Sequence, residues 1–423
     1  MPEKYLKMIL NSPVYDVAHE TPLDRAPRLS DKLENNVFIK REDLQPVFSF
    51  KIRGAYNKIV QLSPSEKQRG VIAASAGNHA QGVALAAERL RIKATIVMPE
   101  TTPEIKIDGV KKFGAKVILH GDDFSTAFAK AQEIANENSL VFIPPFDDPF
   151  VIAGQGTIAL ELLRQYTKNI HAIFIPIGGG GLIAGIGSYI KMVRPEIKII
   201  GVESDESASM YASIKKGRRI TLKNVGIFAD GVAVAQVGKE PFRLAKKVVD
   251  EIVLADVDQI CAAVKDLFED TRAIAEPSGA LAVAGMKNYI RDNKISGKTL
   301  IAINCGANVS FDRLRHISER ANYSEAREAL FAVTIPEKKG SFLAFCKVLG
   351  KRSITEFNYR YSSSKEAHIF VGLALTEGKP ERLKIQETFK QHGYETEDLT
   401  ENDMAKLHIR HMVGGRLNSN EVE

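Results

Sequence analysis

Cysteine is scarce: the 423 residues include three, Cys261, Cys305 and Cys346. The number is odd and no pair has CxxC spacing. That excludes a disulfide framework and a zinc-binding set, and predicts a reducing, cytoplasmic setting. No block of one charge is present. The formal net charge is +6, with basic residues interspersed among acidic ones, so no nucleic-acid partner is expected. No apolar run opens the chain either. Met1 to Tyr15 carries charges at Glu3, Lys4 and Lys7 and does not read as a signal peptide. One charge-free stretch, Ala172 to Ile190, is long enough to span a membrane, but it holds Pro176 and six glycines. A buried strand, a tight loop and a helix start account for it better, so no membrane partner is expected. Repeats of solenoid length and low-complexity segments are absent.

What is present is ordinary globular material, 44% hydrophobic and 26% charged, enough for about two to four domains. Residues 1–36 read as mixed helix and loop, followed by a short strand from Val37 to Lys40. A helical pattern runs from about Arg53, and Pro64 is expected to end it. Then strands and helices alternate. Apolar runs at 71–74, 94–98, 116–119, 140–143, 172–177 and 198–202 are separated by helical patterns at 80–91, 103–113, 124–138, 151–166 and 182–193. Ile252 to Leu254 and Leu300 to Ile303 add two more strands. Continuous Val/Ile/Leu runs of this kind predict parallel sheets covered on both faces, with ligands at the carboxyl ends of the strands.

The pattern changes near residue 328. Strands at 331–335, 354–361 and 369–375, helices at 341–349 and 380–391, and a possible last strand beyond them give the order β-α-β-β-α-β, which is ferredoxin-like. The predicted division is a large part, 1–327, containing a small subdomain at roughly 53–150, and a separate domain at 328–423. The boundary is placed between Arg320 and Glu328.

Several motifs stand at predicted strand ends. Ser75-Ala76-Gly77-Asn78-His79-Ala80-Gln81-Gly82 follows a strand and opens a helix. Gly77 would permit a tight turn, the free N–H groups would suit an anion such as a carboxylate, and Asn78 can donate to a phenolic oxygen. An ordinary polar turn with a satisfied surface histidine is the competing reading. Gly178-Gly179-Gly180-Gly181-Leu182 joins a strand to a helix, and its backbone could wrap a phosphate. It lacks the Lys-Ser/Thr of a P-loop and a clean dinucleotide spacing, which leaves a flexible turn as the alternative. Asn304-Cys305-Gly306-Ala307-Asn308 ends the last core strand, where a single cysteine is by default a buried core residue. Glu276-Pro277-Ser278-Gly279-Ala280 reads as a capped helix start. Taken by itself, Lys51 in Ser49-Phe50-Lys51-Ile52-Arg53-Gly54 reads as a solvated surface lysine.

Together and in this order, these five motifs resemble the fold type II pyridoxal-phosphate (PLP) enzymes, and within them the branch of threonine dehydratases and serine racemases. The segments Phe331 to Ser341 and Ile354 to Arg360 resemble the ACT-like regulatory domain of biosynthetic threonine dehydratases. The resemblance covers almost the whole chain. It implies an α/β fold with two parallel-sheet subdomains and a C-terminal α+β domain. It also implies that Lys51 holds PLP as a Schiff base, with Phe50 packed near the ring and Asn78 on the cofactor's 3′-oxygen. Gly178, Gly179, Gly180, Gly181 and the amide of Leu182 would bind the phosphate, and Cys305 would face the pyridine nitrogen. Ser75, Gly77 and His79 belong to the loop that grips the substrate carboxylate.

The implied reaction is dehydration and deamination of L-threonine, with L-serine secondary, to a keto acid and ammonia. The resemblance further implies isoleucine, often opposed by valine, as allosteric ligand of a homo-oligomer, usually a tetramer. Two departures qualify the resemblance. Where serine racemases carry a second serine this chain has Ala76, which disfavours racemisation. The racemase cation site matches at Glu203 but meets Ser209 where an acid is expected, so a metal at Glu203 is doubtful. A serine dehydratase or racemase, and a non-catalytic amino-acid sensor that does not need Lys51, remain as rivals.

Overall fold

The computed structural model describes residues 2–324, 328–361, 365–376 and 378–402. The chain forms two compact units, Met1–Ser318 and Glu319–Glu423. The division falls at Ser318, within a helix Phe311–Ser324 that the sequence patterns do not reveal. Residues 325–327 of the expected boundary, and the part of the expected last strand beyond Asn402, lie outside the described residues.

In chain order the strands of the first unit are β1 (Leu23–Arg25), β2 (Asn36–Arg41), β3 (Val71–Ala74), β4 (Ala94–Met98), β5 (Lys116–Leu119), β6 (Val141–Phe142), β7 (Ala172–Pro176), β8 (Lys198–Ser204), β9 (Glu251–Ala255) and β10 (Thr299–Asn304). They make two sheets. The smaller, ordered β5-β4-β3-β6, is parallel throughout. The larger is ordered β1-β2-β10-β7-β8-β9 and is parallel except where β1 pairs with β2. β1 sits in the stretch expected to be helix and loop, because three residues of mixed polarity carry no periodic signal. Every residue of β3 and of β7 is buried, as their unbroken apolar runs require. Ile173, Ile175, Ile183, Ile186, Ile199 and Ile301 fill the core of the larger sheet. Ile52, Ile59, Val71, Ala84 and Ile96 fill that of the smaller.

Pro64 does not end a helix. The helix Lys51–Val60 stops before it, and Pro64 occupies the first turn of a new helix, Pro64–Arg69. Ser63 caps that helix in a reciprocal box with Glu66, and proline is tolerated there because its missing N–H would have had no partner.

The helix Lys51–Val60 is anchored by a buried charge cluster at Arg53. Its guanidinium donates to Glu42 from Nε at 2.8 Å and from Nη2 at 2.8 Å, and to Glu161 from Nη1 at 2.6 Å and Nη2 at 3.0 Å. Lys40 Nζ reaches the same Glu161 at 2.6 Å. Two cations thus meet two carboxylates, and Thr157 and the His19 carbonyl take up the remaining donors of Arg53. Burial disfavours the charge on Glu42, but Arg53 outweighs it and holds the carboxyl below its usual range.

The second unit contains β11 (Glu328–Pro336), β12 (Ile354–Tyr361), β13 (Glu366–Ala374) and β14 (Glu395–Asp398), in the order β12-β13-β11-β14 and antiparallel throughout. Helices Ser341–Leu349 and Lys379–Gln391 complete the β-α-β-β-α-β order. Its own core includes Phe331, Phe345, Ile369 and Phe389, with the Phe331 and Phe389 rings edge to face at 5.5 Å.

Candidate active site

The carboxyl ends of β3, β7 and β10 converge on one place. An isolated bridge between Ser49 and Gly306 ties the segment before Lys51 to the segment after Cys305. The Phe50 N–H donates to the Cys305 carbonyl at 3.3 Å, and Ala307 N–H to the Phe48 carbonyl at 2.9 Å. This crossing sets Lys51, the first residue of its helix, against the end of β10. Between them lies a cavity lined by Phe50, Lys51, Asn78, Pro145, Phe146, Gly178 to Leu182, Val232, Glu276 and Cys305, among others.

Lys51 is half-buried rather than a solvated surface lysine. Its Nζ makes one long hydrogen bond, 3.3 Å to the Pro145 carbonyl, and lies 5.2 Å from the centroid of the Phe50 ring. Burial lowers its pKa from the ordinary 10.5 to about 8, against the opposing pull of negative charge at Glu276. An amine with so few partners and a destabilised charged form has the chemistry a nucleophile needs.

The glycine run forms the opposite wall. The helix Gly181–Val193 starts there with Gly180 as N-cap, at φ 90° and with no side-chain cap. A side chain at Gly180 would be strained by that φ, and a Cβ on Gly179 would lie 2.1 Å from the Phe146 ring. Uncapped first-turn N–H groups, the helix dipole and a loop too tight for any Cβ make an anion site.

The third side holds Asn78, Glu276, Asn308 and Cys305. Asn78 opens the helix Asn78–Arg89. Its Nδ2 donates to Glu276 Oε1 at 2.8 Å, and its Oδ1 accepts from Asn308 Nδ2 at 2.6 Å. Glu276 stands at the N-cap of the helix Pro277–Asn293, as its motif suggests, but its side chain does not cap the helix. It turns instead to Asn78, to the Ser278 hydroxyl at 2.6 Å and to the Asn308 N–H at 3.0 Å. Neither Glu276 nor Asn308 was singled out as a site residue from the sequence. Each lies inside a quoted motif, and only the crossing of chain segments brings them to Asn78. The Cys305 thiol donates to the Ser278 carbonyl at 3.3 Å. Burial, with Glu276 nearby, pushes that thiol well above its usual range, so it is neutral.

The Ser75–His79 motif is divided in its roles. Gly77 N–H donates to Ser75 Oγ at 3.2 Å. Gly77 has φ −137°, with nothing within 4 Å of where a Cβ would stand, so no left-handed turn holds it there. His79 is 3% exposed, and its Nε2 pairs with the Ile143 carbonyl at 2.8 Å. Burial, and then the charge of Lys51, lower its pKa to about 3, so the ring is neutral and braces β6 rather than lying on the surface. Glu203, at the end of β8, accepts from the N–H groups of Met210 and Tyr211 at 2.8 and 2.7 Å. Both its oxygens are thus used at the start of the helix Ser209–Lys216. Among the described residues no group of three or more acidic, histidine or cysteine side chains could hold a metal ion.

Comparison with known families decides what this site belongs to. Residues 14–306 match the family model described as pyridoxal-phosphate dependent enzyme, and residues 319–409 match the C-terminal regulatory domain of threonine dehydratase. The chain is 56% identical over 416 residues to the biosynthetic L-threonine dehydratase of Pasteurella multocida, covering 98% of this chain and 81% of that one. To the Escherichia coli enzyme of the same name it is 53% identical over 413 residues, covering 98% and 80%. The chain belongs to the pyridoxal-phosphate-dependent threonine dehydratases.

Among solved structures, the processed form of tomato threonine deaminase isoform 2 matches with a TM-score of 0.74 and 53% identity, over 76% of this chain and 93% of that one. The cavity fits the cofactor of the dehydratase family on its own chemistry. An isolated amine stands for the aldehyde, an uncapped helix start for the phosphate, and an amide donor with a neutral thiol for the ring heteroatoms. Among the described residues no helix is long and apolar enough to cross a membrane.

Proposed function

We propose that this dehydratase converts L-threonine to 2-oxobutanoate and ammonia as the first committed step of isoleucine biosynthesis, under feedback control through its second unit. The observation that carries the catalytic part is the placement of the Lys51 amine, desolvated and nearly unpartnered, in one cavity with the uncapped helix start at Gly181. When bound, pyridoxal phosphate supplies the electron sink that weakens the substrate Cα–H bond and lets the β-hydroxyl leave. Lys51 Nζ takes the proton from the substrate Cα, and a pKa lowered to about 8 by burial keeps a useful fraction of the amine neutral. The backbone N–H groups of Gly178 to Leu182 bind the phosphate. The Ser75–His79 loop, with the first-turn N–H groups of the helix Asn78–Arg89, orients the substrate carboxylate, and Phe50 packs beside the amine. Ala76 carries no proton-transfer group, so Lys51 works alone and the outcome is elimination rather than racemisation.

Cys305 has a distinct part. A neutral thiol does not hold the cofactor's ring nitrogen protonated as a carboxylate would, and this moderates the electron sink toward elimination. Cys305→Asp is expected to raise the share of transamination among the products, measured by assaying the aminated cofactor against 2-oxobutanoate. An unchanged ratio would remove Cys305 from this role.

The regulatory reading is supported by the match of residues 319–409 and by the separate hydrophobic core of the ferredoxin-like unit. Isoleucine, with valine opposing, would act by binding one state of an oligomer, a tetramer by family resemblance, better than the other. A chain shortened to residues 1–327 is expected to keep threonine turnover and lose inhibition by isoleucine in a steady-state assay. Inhibition surviving in the shortened chain would refute control through residues 328–423.

A further inference from the structure

The polarity of the Asn78 amide is fixed by its neighbours. The Val47 carbonyl can only accept, so the Asn308 side-chain atom 2.8 Å from it is the amide nitrogen. That same nitrogen lies 2.6 Å from the Asn78 amide, which makes the Asn78 atom facing it the oxygen. The other end of Asn78 is then the nitrogen, and it meets Glu276 Oε1 at 2.8 Å. Glu276 is 3% exposed and receives three donors, from Asn78, from the Ser278 hydroxyl and from the Asn308 backbone N–H. Both of its oxygens act as acceptors in this set. Burial raises its pKa above the ordinary carboxylate range, and the donors from Ser278 and Asn78 offset that only in part.

Asn78 lines the cavity with its oxygen already taken and one of its two Nδ2 hydrogens already given. With the oxygen held against Asn308, the second Nδ2 hydrogen is left for a ligand. We propose that Glu276 and Asn308 are positioning residues that lock the Asn78 amide in this orientation, so that Asn78 selects the ionised form of the cofactor's phenolic oxygen over the hydroxyl form. An amide free to turn over would offer its oxygen to the hydroxyl as readily as its nitrogen to the oxyanion. The locked one cannot. Glu276 acts through Asn78 and needs no contact of its own with the reacting atoms.

The inference rests on the cofactor reading given above, and its test keeps the two apart. Glu276→Gln preserves volume but offers a single acceptor, so its NH2 group faces either Asn78 Nδ2 or the Asn308 N–H, donor against donor. Asn308→Ala releases Asn78 Oδ1 and leaves the backbone N–H to Glu276 in place. Each holoenzyme is titrated with pH while its long-wavelength band, from the ionised phenol, is compared with the near-ultraviolet band of the neutral form. Both variants are expected to lower the ratio of the two bands roughly tenfold, the value of one hydrogen bond to a charged group, and to move its midpoint to higher pH. Cofactor affinity is measured alongside by equilibrium dialysis. Wild-type ratio and midpoint in both variants, even with a lowered melting temperature, would overturn the proposal and leave a structural role only. If Glu276→Gln does not fold, Asn308→Ala decides alone. A visible band that is missing from the wild type, or that survives in Lys51→Ala, would instead count against the cofactor reading itself.

Discussion

Lys51→Ala is expected to lower threonine turnover by roughly 10³-fold or more and to abolish the visible absorption of the lysine-bound cofactor. The size of the effect follows from the double use of one atom. In the proposed mechanism Nζ both attaches the cofactor and carries the substrate proton, and Glu276, the other titratable oxygen group lining the cavity, is committed to Asn78, Ser278 and Asn308. Ala76 offers nothing from the Ser75–Gly77 turn, and His79 is committed to Ile143 with its pKa lowered to about 3. The substitution removes a half-buried amine with one long hydrogen bond, so the fold should tolerate it. Unchanged thermal unfolding would separate chemical from structural loss.

The same atom predicts a pH dependence. Only the neutral amine attacks an aldehyde. A free lysine would gain reactivity up to its ordinary 10.5, whereas Lys51 is lowered to about 8. Recovery of the visible band when cofactor is added to cofactor-free protein should therefore speed up with pH and level off above about 8. Turnover by Lys51→Ala near the wild-type rate would end the assignment.

Arg53→Met is expected to destabilise the first unit by about 3–5 kcal/mol, lowering its melting temperature on the order of 5–10 °C. Arg53 is fully buried, and its guanidinium donates to Glu42, Glu161, Thr157 and the His19 carbonyl. Methionine fills a similar space but removes the cation hydrogen-bonded to Glu42, leaving it Thr21 and Gln45, and leaves Glu161 with Lys40 and Tyr15 as its hydrogen-bonding partners. The cost is then that of unpaired buried charge rather than of lost packing. Arg53→Lys keeps the charge but cannot reproduce the fork that spans two carboxylates, so it should fall between the two. Because Arg53 lies two residues from Lys51 on the same helix, the Met variant should also lose cofactor affinity. Thermal unfolding within 1 °C or so of the wild type would show that the cluster does not anchor the helix.

The α/β pattern, the strand ends and the ferredoxin-like order were legible because unbroken apolar runs and helical periodicity are local properties. The helix Ser341–Leu349 and strand β12 stand where the patterns put them. Elements without such a signal were missed. β1 is three residues of mixed polarity held only by its pairing with β2, and Pro64 marks a start or a stop depending on whether Ser63 finds Glu66. The motif residues around the cavity were legible as a set through their resemblance to a family. Their partners were not, because nothing local in the sequence says that Glu276 faces Asn78 across 198 residues, or that Arg53 joins Glu42 to Glu161.

The sequence by itself determined which chemistry is available: one lysine in a glycine-bounded motif, a glycine quartet that admits an anion, a cysteine where a charged group would change the reaction, and no second base at Ala76. The tertiary structure decided which of these groups are charged and which way they point. Desolvation brings Lys51 down and Cys305 up, and both shifts exist only inside the cavity. The donor-only face of Asn78 likewise exists only because β10 delivers Asn308 beside it. Residue type sets what a group can donate or accept, whereas burial and neighbours set what it does.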